Sequence, residues 1–267
     1  YDIAILNNMK IKKHRNFKII IQVRLNSTRL PKKILKKIYN NQSMLEFLLN
    51  RLTKKFKTED IIIALAKNKM NFPIVKILNK HKVKYFEGSE NNVLNRYYKC
   101  AQKFNADNIV RITSDCPLID TDLILKMIKY FKENSYEYLA NTLPEKNKTF
   151  PDGSDIEIFK FSSMKKMMKL NLTKYEKEHV TNRFWLSKIF KSKLYKTKVD
   201  LSKYRYSVDY QSDIVSIKKI IYFLNKKKLK FTAINIAKII NNNSFIKKTM
   251  YKNITKQKKR RQKIFEL

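Results

Sequence analysis

Between residues 17 and 113, short β-branched runs alternate with segments of helical spacing, and this alternation restricts the fold more than any other feature. The runs predict strands over 17–23, 60–66, 83–88 and 107–113. The segments between them predict helices over 72–81, 91–104 and 43–56, the last opening with a capping-box pattern, Ser43 and Glu46. Strands that alternate with helices connect through right-handed crossovers. The sequence therefore predicts an α/β fold with a mostly parallel central sheet flanked by helices.

The pattern becomes mixed beyond residue 140. It predicts a half-exposed strand over 155–161, a helix over 174–190, a strand over 204–209 and a helix over 212–225. No internal repeat or Pro/Ser-rich linker interrupts the chain. We interpret residues 17–245 as a single domain, preceded by a polar lead-in over 1–16 and followed by a basic, helical tail over 246–267.

The formal net charge is +38 in 267 residues. Dense Lys and Arg attract polyanions regardless of their sequence, which is typical of nucleic-acid-binding proteins. The lysines are scattered over predicted helix faces and form no single stripe, which favours a general replacement of surface residues by lysine. The run over 247–263 is the exception, and it either contacts an anionic partner or is a frayed end.

The two cysteines and three histidines lack the spacing of a metal site. This cysteine usage is typical of a reducing cytosol. No apolar run reaches the roughly 18 residues needed to cross a bilayer, and the N-terminus has no signal-peptide pattern. The sequence therefore predicts a cytoplasmic protein without a membrane partner.

Parallel sheets bind ligands in the crevice at the carboxyl ends of their strands, and the loop over 24–33 follows the first predicted strand at that edge. Its cations include Arg24, Arg29 and Lys33, and its hydroxyls are those of Ser27 and Thr28. Such donors can hold a triphosphate, although a solvated basic turn has the same composition. Because the loop lacks glycine, we expect Asn26 to adopt its left-handed turn conformation.

Two aspartates follow other predicted strands. Asp115 comes after the strand over 107–113, and Asp209 ends the strand over 204–209. Mg²⁺ prefers one or two carboxylates together with phosphate oxygens, so this pair fits metal-assisted phosphoryl or nucleotidyl transfer. Each aspartate alone is equally typical of a turn at a strand end. We expect Asp120 to serve as a helix N-cap.

The segment FPDGSDIEIF, residues 150–159, keeps one of only two glycines in the chain and surrounds it with carboxylates: Asp152, Gly153, Asp155 and Glu157. Alternation along a strand places Asp155 and Glu157 on the same face. They either accept hydrogen bonds from the hydroxyls of a polyol, or belong to a tight turn that leads into an edge strand.

Several segments, in this order, resemble one known family. They are IIIQVRLNSTRLPKKIL, GSENNVLNRYY, DNIVRITSDCPLID, FPDGSDIEIF, EKEHVT and YRYSVD. Together they closely resemble the cytidylyltransferase family that includes the spore-coat polysaccharide biosynthesis proteins and is related to CMP-Kdo and CMP-acylneuraminate synthetases. The similarity covers about residues 17–225.

The resemblance implies a nucleotide-diphospho-sugar transferase fold of the GT-A-like type. It implies that the protein transfers CMP from CTP to a sugar acid for surface polysaccharide, with Mg²⁺ and release of pyrophosphate. Asp115 and Asp209 would be the metal ligands and, with Arg24 and Lys33, the catalytic residues. The implied nucleotide-binding residues are Arg24, Leu25, Asn26, Ser27, Arg29, Lys33, Asn95, Arg96, Arg111 and Ser114. The implied acceptor-binding residues are Asp152, Gly153, Asp155, Glu157, Glu178 and His179.

The chain departs from the family pattern at several positions. Family members usually have glycine where this chain has Asn26 and Lys32, and acidic residues at Asn91, Asn92 and Asn95. These departures leave the choice of nucleotide and the level of activity open.

Other functions also remain open at this stage. The acceptor is alternatively a sugar 1-phosphate or polyol phosphate, and the chain is alternatively a non-catalytic polyanion-binding module. Carboxylates beside the cationic loop argue against a nucleic-acid partner, because they repel its backbone. Relatives are often dimers, so a homodimer is another arrangement that the sequence leaves open.

Overall fold

The computed structural model describes residues 16–265, and their side chains as far as residue 260. The predicted lead-in over 1–16 therefore lies outside the described residues, apart from Asn16. The elements of the amino-terminal half are β1 (Phe17–Val23), a hairpin of β2 (Lys37–Tyr39) and β3 (Gln42–Ser43), α1 (Met44–Thr53), β4 (Ile61–Ala66), α2 (Phe72–Lys80), β5 (Lys84–Gly88), α3 (Val93–Lys103) and β6 (Asn108–Thr113). Each strand and helix predicted between residues 17 and 113 is present.

The second half begins with α4 (Thr121–Glu133), which Asp120 caps as predicted by accepting the backbone N–H groups of Asp122 and Leu123. It continues with β7 (Tyr138–Ala140), β8 (Glu157–Lys160), α5 (Phe161–Met168), α6 (Lys174–His179), α7 (Asn182–Leu186) and β9 (Ser192–Leu194). The last helices are α8 (Gln211–Lys226), α9 (Ala233–Asn241) and α10 (Ser244–Phe265).

The central sheet has seven strands in the order β5-β4-β1-β6-β8-β7-β9. Every strand of this sheet except β8 runs in the same direction. One face of the sheet packs against α1, α2, α4, α8 and α9, and the other packs against α3, α5 and α7. The predicted mostly parallel α/β sheet is confirmed. The carboxyl ends of β1, β4 and β6 consequently meet at one edge.

Two predicted elements are wrong. The helix over 174–190 breaks at the buried residue Val180, whose backbone has φ 64° and ψ −53°, and α6 and α7 form on either side of it. The strand over 204–209 does not form, because the backbone pairing of this segment is an isolated bridge between Arg205 and Asp152, and Asp152 lies outside the strands of the sheet. The segment crosses the carboxyl edge of the sheet as an extended loop.

The last helix is docked on the domain. Ile246, Met250 and Asn253 of α10 are buried, and the helix contacts α8 and α9. The predicted boundary at residue 245 therefore falls inside a helix whose first turns belong to the core. None of the helices within the described residues combines the length and apolar character needed to cross a bilayer.

The capping box of α1 should make the stability of the protein depend on pH. Burial raises the pKa of Glu46, but the backbone N–H and hydroxyl of Ser43, and then Lys37 and Lys80, outweigh that effect and lower the pKa to about 2. A lowered carboxyl pKa stabilises the fold above the ordinary value of 4.5, and this stabilisation is lost as the pH falls through about 2. We therefore expect Glu46→Gln to lower the free energy of unfolding by about 1 kcal/mol at pH 7, and by less at pH 3.

Urea unfolding of both proteins at pH 7 and pH 3 tests this prediction. Glu133→Gln is the matched control, since Glu133 is an exposed helix carboxylate paired with the exposed Lys129. A difference between Glu46→Gln and the parent that stays constant with pH would contradict the assigned role of the charge.

Candidate active site

The loop that follows β1 is anchored by two apolar side chains. Leu25 and Leu30 are buried, whereas Arg24, Asn26 and Arg29 are exposed. The backbone N–H of Lys32 closes the loop by donating to the carbonyl oxygen of Leu25 at 3.2 Å. The apolar residues therefore fasten the loop to the core, and its polar residues face outward from the carboxyl edge of the sheet.

The predicted conformation of Asn26 is wrong. The residue of this loop with positive φ is Lys32, at φ 55° and ψ 26°. The chain reverses there, because the carbonyl oxygen of Lys32 accepts the backbone N–H of Leu35 and starts the short 3-10 helix Lys33–Leu35. Of the two positions where the resembling family has glycine, only the second needs glycine-like backbone freedom.

This geometry predicts that Lys32→Gly stabilises the protein. A side chain in the left-handed region costs roughly 1–2 kcal/mol, and the greater freedom of unfolded glycine offsets about half of that. We expect the free energy of unfolding to rise by about 0.5–1 kcal/mol in urea titrations. Lys36→Gly is the control, because Lys36 has φ −68° and its replacement should destabilise the protein. Equal losses in both variants would exclude backbone strain at Lys32.

The ammonium group of Lys33, in the β1 loop, contacts two other loops, the one that contains Asp115 and the one that contains Asp209. The Nζ of Lys33 lies 3.1 Å from Oδ2 of Asp115 and 3.2 Å from Oδ1 of Asp209. It also donates to the carbonyl oxygen of Val208 at 2.6 Å. The N–H of Val208 donates to the carbonyl oxygen of Asp115 at 2.9 Å, which joins the two aspartate loops directly. The structure thus brings Lys33, Asp115 and Asp209 together, although they are far apart in sequence.

Asp209 also forms ion pairs with two arginines. Arg29 donates to its Oδ1, and Arg205 donates to its Oδ2 at 2.9 Å. The Asp209 side chain is only 5% exposed, whereas that of Asp115 is 32% exposed. Asp209 is therefore held deep in the site, and Asp115 stands at its open side. We call Arg29, Lys33, Asp115 and Asp209 the charged cluster.

Asp213 holds the Asp209 loop in place. One of its oxygens accepts the backbone N–H groups of Asp209 and Tyr210 at 2.8 and 2.9 Å. The other accepts Arg205 at 2.9 Å and the side-chain amide of Asn253 at 2.7 Å. These three supporting residues were not predicted from the sequence. The spacing of Arg205, Asp209 and Asp213 could have suggested mutual contact, whereas no local signal identifies Asn253.

Both aspartates of the charged cluster are ionised at neutral pH. Burial raises the pKa of Asp209, but Lys33, Arg29 and Arg205 hold it well below its ordinary value. Burial and the Asp209 charge raise the pKa of Asp115, but the opposing effects, led by the positive charge of Lys33, outweigh both, so the pKa of Asp115 also lies below its ordinary value. The site therefore presents two carboxylates that are ready to bind a cation.

The segment over 150–156 covers the same edge of the sheet. Gly153 has φ 105°, and a Cβ there would lie 2.6 Å from the backbone N of Ser207, so only glycine allows this turn. Asp155 accepts the N–H of Gly153 at 2.6 Å and the hydroxyl of Thr142 at 2.8 Å. Burial and the neighbouring Asp152 raise the pKa of Asp155 to about 6. Asp152 itself is paired with Lys148.

Glu157 and Arg111 are not brought to the charged cluster. They lie opposite each other in the register of β6 and β8 and form a buried ion pair. The hydroxyl of Tyr138 donates to Glu157 at 2.8 Å, and Arg111 also donates to Gln22 at 3.1 Å. Alternation was expected to place Glu157 on the same face of a strand as Asp155. Instead, the strand begins only at Glu157, and Asp155 belongs to the preceding turn.

Arg96 is 1% exposed and lies against Gly88, where a Cβ would come within 2.9 Å of its Cγ. It donates to the carbonyl oxygen of Ser89. The Nε and second guanidinium nitrogen of Arg96 have no hydrogen-bond partner within the described residues. Two buried donors are thus left beside the loop that follows β5.

The other predicted site residues are spread over several elements. Asn95 is half-buried near the start of α3, and Ser114 is buried with its N–H donated to Gln22 of β1. Glu178 and His179 are exposed on α6, which packs against α3, and the His179 ring contacts that of Tyr175 in a tilted arrangement with 4.2 Å between centroids.

The donor set suits Mg²⁺. Within residues 16–265, no three His, Cys, Asp or Glu side chains form a group that could hold a metal ion by themselves. Mg²⁺ does not require one, because it is usually bound by one or two carboxylates plus phosphate oxygens. Asp115 and Asp209 already share one cation, the ammonium of Lys33, so their placement fits a metal ion that a phosphate ligand completes.

Comparisons with known proteins were made at the levels of sequence and structure. A family model described as "Cytidylyltransferase" matches residues 18–262. The uncharacterized protein MJ1063 of Methanocaldococcus jannaschii is 39% identical over 162 residues, which are 61% of this chain and 64% of that protein. The spore coat polysaccharide biosynthesis protein SpsF of Bacillus subtilis is 33% identical over 128 residues, 46% of this chain and 53% of SpsF. The chain spans less than two thirds of the length of these curated relatives.

Two solved structures are similar to this fold. A cytidylyltransferase from Leptospira borgpetersenii has a TM-score of 0.80 and 32% identity, covering 87% of this chain and 97% of that one. A CMP:2-keto-3-deoxy-manno-octonic acid synthetase complexed with CTP has a TM-score of 0.59 and 13% identity, covering 80% of this chain and 100% of that one. The second likeness concerns the fold alone.

Proposed function

The chain belongs to the cytidylyltransferase family, and we propose that it transfers CMP from CTP to a sugar acid with release of pyrophosphate. The observation that carries this proposal is the charged cluster, in which two ionised aspartates and two cations meet at the carboxyl edge of the sheet. Sheets of this kind bind nucleotides at that edge. The resulting CMP-sugar would serve polysaccharide synthesis, a role that the name of the relative SpsF also indicates for that protein.

The cations of the β1 loop bind the triphosphate in this proposal. Arg29 and Lys33 are paired with Asp209 and Asp115, and they exchange these carboxylates for phosphate oxygens when CTP binds. Arg24 is exposed in the same loop and adds a third positive charge. Arg offers paired donors to phosphate and Lys offers a point charge, so side chains replace the glycine-rich backbone of other phosphate-binding loops.

The reaction is an in-line substitution at the α-phosphorus. A bond forms between an acceptor hydroxyl oxygen and the α-phosphorus, the bond from that phosphorus to the bridging oxygen of the β-phosphate breaks, and pyrophosphate leaves with the electron pair. The hydroxyl proton passes to solvent. Positioning of the two substrates and stabilisation of charge on the transferring phosphate provide the catalysis.

Asp115 and Asp209 would hold Mg²⁺. When bound, the ion neutralises developing charge on the phosphate oxygens. The residues around it have separate tasks: Arg205 and Asp213 keep Asp209 oriented, and Thr142 and Asp155 keep the neighbouring turn closed over the edge of the sheet.

Mass spectrometry of reactions with CTP, Mg²⁺ and a panel of sugar acids, coupled to a pyrophosphate assay, tests the proposal. We expect one CMP-sugar and an equal amount of pyrophosphate. Pyrophosphate release with a sugar 1-phosphate or polyol phosphate, and none with any sugar acid, would keep the nucleotidyl transfer and replace the acceptor. No product with any acceptor would overturn the proposed function.

A further inference from the structure

The last three helices, α8 to α10, form a surface whose charge has one sign. The chain has 22 Asp and Glu residues, but none of them lies between residues 214 and 265, whereas Lys and Arg recur throughout this stretch. A general replacement of surface residues by lysine adds positive charge everywhere, but it does not explain why acidic residues are missing from one segment. The segment is therefore a separate electrostatic feature of the protein.

The lysines of these helices have no counter-charge. Asp213, at the start of α8, is buried and paired with Arg205. Among the described side chains, no lysine of α8, α9 or α10 forms an ion pair. Four of these lysines are exposed on α8 and α10, namely Lys218, Lys219, Lys248 and Lys252. Unpaired surface cations of this kind attract an anionic partner.

Exposed aromatic side chains lie on the same surface. Tyr222 of α8 is 56% exposed and Phe245 of α10 is 48% exposed. Residues three and four apart share one face of a helix, so Tyr222 lies next to Lys218 and Lys219. The Nζ of Lys219 lies 5.3 Å from the centre of the Phe245 ring, which joins the outer faces of α8 and α10. We call Lys218, Lys219, Tyr222, Phe245, Lys248 and Lys252 the basic face.

Lysines interspersed with exposed apolar side chains match the surface of an anionic bilayer. Negative headgroups attract each lysine near the membrane surface, and Tyr and Phe side chains enter the boundary between headgroups and acyl chains. Val215 is also exposed on the same side of α8 as Tyr222, and it adds an aliphatic contact of the same kind. Peripheral attachment of this type requires no helix that crosses the bilayer.

A nucleic acid fits the basic face less well. Single-stranded nucleic acids stack their bases on open aromatic rings. Here an ammonium group already lies over each ring, that of Lys226 over Tyr222 and that of Lys219 over Phe245. Arginine is the residue best suited to nucleic-acid recognition, and residues 214–259 contain lysine but no arginine.

From these observations we propose that the basic face attaches the protein to the surface of an anionic phospholipid bilayer. This inference is independent of the proposed CMP transfer, and it replaces the expectation, drawn from the lack of a long apolar run, that the protein has no membrane partner. α8 and α9 pack on one face of the sheet, so the basic face points away from the sheet. The charged cluster at the carboxyl edge therefore stays open to substrates in the attached protein.

Sedimentation with lipid vesicles tests the proposal. The protein is mixed with vesicles of phosphatidylcholine alone, or of phosphatidylcholine with about one third phosphatidylglycerol. We expect binding to the anionic vesicles only, and added salt should weaken it. The lysine variant combines Lys218→Gln, Lys219→Gln, Lys248→Gln and Lys252→Gln, and the ring variant combines Tyr222→Gln and Phe245→Gln. The lysine variant should bind at least about 100-fold more weakly, and the ring variant at least about 10-fold more weakly.

A control variant removes the same charge from exposed positions of α3, α5 and α6, away from the basic face. It combines Lys99→Gln, Lys165→Gln, Lys174→Gln and Lys177→Gln. Its binding to anionic vesicles should stay within about threefold of that of the parent, because distant surface charges are screened by salt.

Three results with vesicles would overturn the proposal: no binding to anionic vesicles, equal losses in the lysine and control variants, or unchanged binding by the ring variant. Gel shifts with a single-stranded RNA address the other class of partner. RNA binding that requires the four lysines, without vesicle binding, would identify a nucleic acid as the partner and would also overturn the proposal. None of these assays depends on CMP transfer, so the proposed function stands or fails separately.

Discussion

Asp115→Asn is expected to lower kcat for CMP transfer by about 100-fold or more, with little loss of stability. The loss of one preorganised charge beside a transferring group typically has this size. Asp115 is the exposed member of the aspartate pair, and within the cluster its carboxylate is paired with Lys33 alone. We therefore also expect a higher Mg²⁺ concentration at half-maximal rate, because a single carboxylate remains to hold the ion.

Steady-state kinetics at increasing Mg²⁺ concentrations check this prediction, with thermal unfolding to verify the fold. Asp122→Asn is the control, since Asp122 is a partly exposed aspartate paired with Lys55 at 3.0 Å on a different surface. A rate and a Mg²⁺ requirement that both match those of the control would remove Asp115 from the active site.

Glu157→Ala is expected to lower the free energy of unfolding by about 3–5 kcal/mol, because it leaves the buried guanidinium of Arg111 without its counter-charge. The Glu157 and Arg111 side chains are 4% and 10% exposed. Burial lowers the pKa of Arg111, but Glu157 outweighs this effect and raises it, so the arginine stays charged. Without Glu157, the positive charge of Arg111 would therefore remain buried in the protein without a counter-charge.

The double variant Arg111→Met, Glu157→Leu should recover part of this loss, since an apolar pair of similar volume removes the unpaired charge, whereas the buried hydroxyl of Tyr138 loses its acceptor. Urea unfolding of Arg111→Met, Glu157→Leu and the double variant that combines them gives the coupling energy. If Glu157→Ala unfolds at the same urea concentration as the parent and only raises the KM for the acceptor, Glu157 contacts substrate and the ion-pair assignment fails.

The strands and helices of the amino-terminal half follow from local pattern. The run Phe17–Val23 is rich in β-branched residues and becomes an interior strand of the sheet, and Ser43 with Glu46 caps α1 as their spacing indicates. These features depend on neighbouring residues alone. In the carboxyl-terminal half the local pattern gave a wrong prediction. The segment over 204–209 has the pattern of a strand but forms a loop that lies across the edge of the sheet.

The geometry of the candidate site was predicted with uneven success for a similar reason. Asp115 and Lys33 lie in polar loops after the apolar runs that become β6 and β1, so their position at the edge of the sheet can be predicted from the chain. Asp209 was expected at the end of a strand that does not form, and it reaches the same edge through an extended loop. The left-handed residue of the β1 loop could not be assigned in this way, because the closing bond between Lys32 and Leu25 determines which residue reverses the chain.

The chain by itself therefore determines the α/β class, the order of the first four strands along the chain and the chemical types gathered at the carboxyl edge. Which side chains meet is a property of the folded protein. Glu157 faces Arg111 because β8 pairs with β6 in one particular register, and Asn253 supports Asp213 because α10 packs on α8. Such contacts join residues 40 or more positions apart. Local periodicity constrains only neighbours within a few residues, so long-range packing decides these partners.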